Sequence, residues 1–184
     1  MANKNFIKEV YRQAGGKPRS VDWYRDKIRE FTLPSSAQLV REGKRTKRPT
    51  VGVLNMFFYD PKTKGKLPYY DTFPLVLPIE EYNNGFLGLN FHYLSIPLRV
   101  KLLDRMMDYA GGDINERTRL KVDYSGLKRV PLIKPTLKRY LTNNLRSDFR
   151  RIPADEFLVA SLLPVQQFKK ASDRKVYADS RSMI

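Results

Sequence analysis

Cysteine is absent from this 184-residue chain and histidine occurs once, so several familiar routes to chemistry are closed at the outset. Without thiols there is no disulfide framework, no thiolate metal site and no cysteine nucleophile, a composition that fits a reducing compartment. The common zinc sites cannot be assembled from a single imidazole. Long apolar runs are missing as well: none approaches the roughly 20 residues of a bilayer-spanning helix. Met1-Ala2-Asn3-Lys4 opens the chain without the apolar stretch of a signal peptide. Neither the Rossmann nor the Walker glycine pattern occurs, and no internal repeat is visible. The expectation is a soluble, non-secreted protein with no cofactor, no metal and no membrane contact.

What is present is positive charge, distributed unevenly. Residues 1–48 carry 13 Lys and Arg against 5 Asp and Glu, residues 49–116 carry 6 against 8, and residues 117–184 carry 16 against 6. The net charge of +16 therefore comes from the two ends, at +8 and +10, around a middle of −2. Solubility alone needs only a few net charges of either sign. Basic ends on a near-neutral centre point to a polyanionic partner, with nucleic acid first and an anionic membrane or acidic protein surface second.

The pattern divides the chain into a basic helical arm (1–48), an α+β body (49–170) and a polar C-terminal tail (171–184). In the arm, Phe6, Val10 and Tyr11 share one side of a helix over Asn5 to Ala14 that Gly15-Gly16 stops. Ser20 is the N-cap of a second helix, in which Val21, Tyr24, Ile28 and Phe31 recur at helical spacing before Pro34. Gly43-Lys44-Arg45-Thr46-Lys47-Arg48-Pro49 reads as a basic linker between arm and body, and Lys44, Arg45, Lys47 and Arg48 are candidate polyanion contacts.

From Val51 the pattern turns to strand: Val51 to Tyr59, Tyr69 to Ile79, then Phe86 to Leu94 after the Asn83-Asn84-Gly85 turn. Pro74 and Pro78 make the second of these an edge strand or a bulged one. The body is expected to hold a small antiparallel sheet, or an SH3-like barrel, surrounded by helices. Those helices are predicted over Leu98 to Tyr109, stopped by Gly111-Gly112, over Pro135 to Asn143, from Pro153, and briefly through Phe168. A further strand is predicted over Arg119 to Tyr124. The tail from Ala171 reads as extended and available to a partner.

Candidates for catalysis are few. His92 lies in an apolar segment, where a lone histidine is normally a packed, hydrogen-bonded residue. Asp104 and Asp108 read as ordinary surface patterning on a helix. Asp60 and Asp71, with Lys66, could be imagined as a nuclease-like set, but each carboxylate is explained equally well as a turn residue bonding local amides. No catalytic residue is assigned, and a non-enzyme is expected. Tyrosines and phenylalanines do interleave with cations, as at Phe149-Arg150-Arg151 and Lys175-Val176-Tyr177, a combination that can stack on bases while neutralising phosphate. Arg150 and Arg151 therefore join the candidate polyanion contacts. Trp23, Tyr24 and Tyr177 are candidate anchors to a protein partner.

One block is distinctive. Phe57-Phe58-Tyr59-Asp60-Pro61-Lys62-Thr63-Lys64-Gly65-Lys66-Leu67-Pro68-Tyr69-Tyr70-Asp71-Thr72-Phe73-Pro74-Leu75, followed by Gly85-Phe86-Leu87-Gly88-Leu89-Asn90-Phe91-His92-Tyr93-Leu94, resembles a small protein family of T-even-like contractile-tailed bacteriophages. Phe168-Lys169-Lys170-Ala171-Ser172-Asp173-Arg174-Lys175-Val176-Tyr177 with Asp179-Ser180-Arg181 is similar to that family's ending. The resemblance implies a phage-encoded, virion-associated protein, present in host cytoplasm during assembly, and carries over no functional residue.

Two functions follow as expectations. The first is a structural or assembly protein of a tailed phage particle, docking on other virion proteins through basic arms. The alternative is a sequence-non-specific DNA-binding protein acting on double-stranded phage DNA.

Overall fold

The computed structural model describes residues 5–17, 19–107, 119–120, 127 and 129–184. Three helices come first: α1 (Phe6–Gln13), α2 (Val21–Glu30) and α3 (Ser36–Glu42). Each begins at a side-chain cap. Asn5, Ser20 and Ser35 accept the backbone N–H of the residue three further on, satisfying a donor the first turn leaves free.

Strands and the remaining helices follow. They are β1 (Lys44–Thr46), β2 (Asn55–Met56), β3 (Tyr70–Asp71), β4 (Leu75–Tyr82), β5 (Gly85–Asn90), α4 (Ile96–Met107), α5 (Ile133–Thr136), β6 (Leu137–Leu141), β7 (Phe149–Arg151), α6 (Phe157–Leu162), β8 (Phe168–Lys169) and α7 (Asp173–Met183). Six strands make one antiparallel sheet in the order β1-β7-β2-β4-β5-β6, and β3 pairs with β8 in a separate two-stranded sheet. The fold is α+β as expected. The larger sheet is open, with β1 and β6 as its edges, so the barrel alternative does not form.

Alternation along the strands separates two apolar faces. Met56, Leu75, Leu77 and Leu89 face the helices in the main core, which also takes in Phe6, Ile7, Val10, Tyr24, Ile28 and Leu39. The opposite face carries a smaller aromatic cluster of Phe57, Tyr59, Val76, Phe86, Tyr140 and Phe149. There Phe86 stacks on Tyr140 with centroids 5.1 Å apart, and the Tyr59 hydroxyl accepts the Leu141 N–H at 3.1 Å.

Several sequence expectations change here. Residues 1–48 are not an arm: Phe6, Ile7, Val10 and Ala14 of the first helix are buried in the same core as the sheet and α6. The supposed linker is strand β1 at its start. β4 is central, between β2 and β5, and accommodates Pro78 through a register shift between Pro78 and Glu80, so the bulge is found and the edge position is not. Leu137 to Leu141, expected in a helix, is β6: a run of five with apolar residues at first, fourth and fifth places satisfies either period, and the free edge of β5 decides. Phe168 lies in β8 rather than a helix. His92 sits in a 3-10 turn over Phe91–Tyr93, just past the end of β5. The strand expected over Arg119 to Tyr124 falls mostly outside the described residues, as do the Gly111-Gly112 stop and Asp108.

The C-terminal segment is helix α7, not an extended tail. Ser172 caps it, Val176 and Ser180 are buried beneath it, and the Tyr177 hydroxyl accepts a hydrogen bond from Arg99 at 2.9 Å. Arg99 is wholly buried. Its Nε donates to Leu94 O at 2.8 Å, one terminal nitrogen to Leu163 O at 3.1 Å, and the other to Gln166 Oε1 at 2.9 Å as well as to Tyr177. One side chain thus joins α4, the end of α6, the lead into β8 and α7.

Beside it lies a second buried polar unit. Asp71 Oδ2 accepts from His92 Nδ1 at 2.8 Å and from Asn90 Nδ2 at 3.3 Å, while Oδ1 accepts the N–H groups of Phe73 and Gln167 at 3.0 and 3.1 Å. Burial opposes the Asp71 charge, but His92 and the two amides outweigh it and hold the carboxyl below its ordinary range. For His92 the balance runs the other way. Burial, with nearby Arg99 adding to it, pushes the imidazole below 6.5 despite Asp71, so it is neutral and gives its Nδ1 proton to the carboxylate.

Three outcomes are expected from this packing. Arg99→Met leaves two buried carbonyls without their donor and should lower stability by about 3 kcal/mol or more, read by urea denaturation. A Cβ at Gly43 would run into the Arg150 side chain, so Gly43→Ala should destabilise by about 1–3 kcal/mol in the same assay. Below pH 6.5 the unfolded chain protonates His92 while the folded protein does not, so stability falls on acidification by up to about 1.4 kcal/mol per pH unit. Asp71 adds a further loss as pH drops through 3.8 and toward its lower folded value. Melting curves from pH 7.5 to 5 should show the first effect, and His92→Gln should flatten it.

Candidate nucleic-acid interface

β1 is a basic edge strand. It pairs with β7 in the register Lys44 with Arg151, Arg45 with Arg150, and Thr46 with Phe149, so each cation of β1 stands opposite another cation. Directly opposed like charges destabilise a strand pair, in water by about 1 kcal/mol at such distances. At the outward pair, Lys44 with Arg151, a phosphate between them reverses the sign. Lys44, Arg45, Lys47 and Arg48 are exposed, and Arg151 is half-buried. Among the described residues none of these five has a carboxylate within ion-pair distance.

Arg150 differs from its neighbours. It is buried at 1% exposure, donates to Leu39 O at 3.1 Å and Asn5 Oδ1 at 2.8 Å, and lies 4.0 Å from the Glu156 carboxylate. Position in β7 turns its side chain toward the helices, where Arg151 one residue later faces the other way. The expectation that Arg150 meets a polyanion is therefore corrected: it ties α1, α3 and the sheet together. Both terminal nitrogens have acceptors and a carboxylate lies close by, which offsets part of the cost of burying the guanidinium.

The basic edge leads into a groove of about 470 Å³ whose lining includes Lys47, Arg48, Tyr82, Asn83 and Phe149. Arg139 lies 5.0 Å from the Tyr82 ring, and its terminal nitrogen donates to Asn84 Oδ1 at 3.0 Å, so a further cation and an aromatic stand at the tip of the β4–β5 hairpin. Lys47 and Arg48 are thus on the rim of a concave surface, with Glu81 as the acidic residue in its lining.

A larger cleft of about 690 Å³ opens at the other edge of the sheet, between β6 and the segment leading into β3. Tyr69, Tyr70 and Tyr93 line it together with Lys62, Lys138 and Arg139. Lys138 rests over the Tyr93 ring at 4.1 Å, and burial lowers its ammonium to about 8. The Tyr93 hydroxyl is pushed well above its ordinary range, by burial first and by the nearby Asp71 charge second. This cleft was not foreseen, because two of its three cations, Lys138 and Arg139, come from β6, which the spacing assigned to a helix.

The remaining candidates fall into place differently. Trp23 is half-buried, with Arg19 at 5.4 Å from its ring and Tyr24 edge-on at 5.1 Å. Tyr24 is only 5% exposed, and the Tyr177 hydroxyl is committed to Arg99, so neither stands free as an anchor for a partner. Asp60 is at the surface with Lys64 at 2.8 Å and Arg146 at 3.3 Å, whereas Asp71 is buried with His92. Among the described residues no group of three or more His, Asp or Glu could hold a metal ion, and no helix is long and apolar enough to cross a membrane.

The surface therefore offers unpaired cations on one sheet edge, a concave rim beside them, and an aromatic cleft with its own cations on the opposite edge. Sequence comparison places the chain in a family. No curated protein and no solved structure matches the chain. A family model described as phage T4 terminal DNA protecting protein matches residues 3–183, nearly the whole length, in accord with the resemblance to T-even-like phages carried by the tyrosine-proline block. The chain belongs to the family of the phage T4 terminal DNA protecting protein.

Proposed function

We propose that the protein binds the ends of linear double-stranded phage DNA through backbone phosphates, without reading base sequence, and shields those ends from attack. The observation that carries this reading is the run of exposed cations along β1 and the following turn, Lys44, Arg45, Lys47 and Arg48, none of which is compensated by a carboxylate among the described residues. Opposed like charges in a strand pair make sense in a surface completed by an anion. The description of the family supplies the kind of anion: terminal DNA. Of the two functions expected from sequence, the DNA-binding alternative is thus favoured over docking on virion proteins by basic arms, since the arms are built into the fold and two of the three named anchors are occupied internally. Residence in the phage particle, at the DNA terminus, is part of the proposal. The role is one of binding, with no reaction assigned.

Phosphate-driven binding has a measurable signature. Log affinity should fall linearly with log salt, with a slope of about 0.9 per phosphate neutralised. The fourfold change of Lys44, Arg45, Lys47 and Arg48 to Ala should weaken binding to a linear duplex at least about tenfold at low salt and reduce the slope by about 3. End recognition is checked by competition: linear duplex should displace a labelled linear probe far better than a covalently closed circle of the same sequence. Equal competition by the circle would make this a general duplex binder. Protection is read by the rate at which an exonuclease shortens the linear DNA, which should slow with the wild-type protein and recover with the fourfold variant.

A further inference from the structure

The cleft between β6 and the segment before β3 is a built site that the basic β1 edge does not explain. Its walls are aromatic and positive, and its charge is not balanced internally. Asp71, the one carboxylate in its lining, is committed to His92, Asn90 and two backbone amides. Lys138 has the Tyr93 ring as its partner and no carboxylate within ion-pair distance among the described residues. A partly desolvated ammonium in that position gains from any anion that enters.

The outer wall is held rigid by an unusual device. Lys170 Nζ donates to three carbonyls at once, Lys64 O at 2.6 Å, Gly65 O at 3.1 Å and Leu67 O at 3.0 Å. Lys170 is also the one non-glycine residue with positive φ among the described residues, at 68°. A left-handed backbone costs free energy at a lysine, and here it brings the ammonium onto the loop. The wall is therefore set before any ligand arrives. A preformed site of 690 Å³ falls within the roughly 300–1,000 Å³ typical of pockets that enclose a small molecule.

Size decides between duplex and single strand. A cleft of about 690 Å³ lies in the range that encloses a small molecule, far below what a duplex end would need. One nucleotide fits where a base pair does not. We infer that the cleft takes an unpaired nucleotide at the DNA terminus, its base against Tyr69 and Tyr70 and its phosphate at Lys138, so that the protein prefers ends carrying a single-stranded overhang. The inference rests on the DNA-end reading above and adds to it the chemical form of the end. Aromatic stacking with adjacent cations is the sequence-tolerant way to hold single strands.

The test compares a blunt hairpin with the same hairpin carrying a three-nucleotide overhang, 5′ or 3′, by fluorescence anisotropy at fixed salt. The wild-type protein should bind an overhang end about tenfold more tightly than the blunt end. Lys138→Met with Tyr69→Leu should remove that advantage and leave blunt-end affinity unchanged. Ultraviolet cross-linking of 5-iodouracil at the last overhang position, mapped by mass spectrometry, needs no variant and should label Tyr69, Tyr70 or Tyr93. Equal affinity for blunt and overhang ends, or cross-links confined to residues outside the cleft, overturns the inference while end binding stands. If hairpin ends bind no better than a closed circle, the end-binding reading fails first and the inference falls with it.

Discussion

Arg99 is the joint on which the rest of the structure depends. A guanidinium with no exposed surface is tolerated only when its donors are satisfied, and here they are met by two main-chain carbonyls, one amide and one phenol from four parts of the chain. The geometry fixes α4 against the end of α6 and places the strand after it where β3 can pair with β8. That pairing in turn brings Gln167 N–H to Asp71, which positions His92 and the floor of the tyrosine cleft. Shape at the ligand-facing surface is thus set from inside by a cation that no ligand touches.

Arg150 performs the same task at the opposite edge. Gly43 leaves room for its side chain, which reaches Leu39 and Asn5 and so binds α1 and α3 to the sheet beneath β1. Two arginines that count toward the net charge are therefore interior, and a composition-based estimate of surface charge overstates what a polyanion meets. What matters is placement. Both free edges of the sheet carry cations, Lys44 and Arg45 on β1 and Lys138 and Arg139 on β6. Charged edge strands protect a sheet from pairing with another sheet, and the same residues can serve an anionic partner.

Much of the local structure was legible in the sequence and much of the tertiary structure was not. Ser20 before Val21 and the 3-4-3 spacing of α2 announced that helix, because caps and periodicity are local signals. The Asn83-Asn84-Gly85 turn gave the β4–β5 hairpin for the same reason. Leu137 to Leu141 was misread since five residues cannot separate a period of 3.6 from one of 2, and the partner that decides is about fifty residues away in β5. The supposed arm and tail failed on composition: α1 and α7 are rich in charge, but each carries a few fully buried residues, such as Ile7, Val10 and Val176, that are enough to dock it. Of the candidate site, the exposed cations of the β1 segment could be named from their run alone. Arg150 could not be told from Arg151 without knowing which face of β7 pointed inward. Nothing in the sequence linked Lys170 to a loop a hundred residues earlier.

That last contact has a consequence for how the surface can change. Lys170 holds the cleft wall by carbonyl oxygens, and every residue has one. Apart from Lys64, which pairs with Asp60, the side chains of the turn are therefore not what Lys170 grips, and they can change so long as the turn persists. A rim whose shape is secured by main chain while its chemistry is carried by replaceable side chains lets a lineage retune charge and contact at the cleft mouth without refolding it.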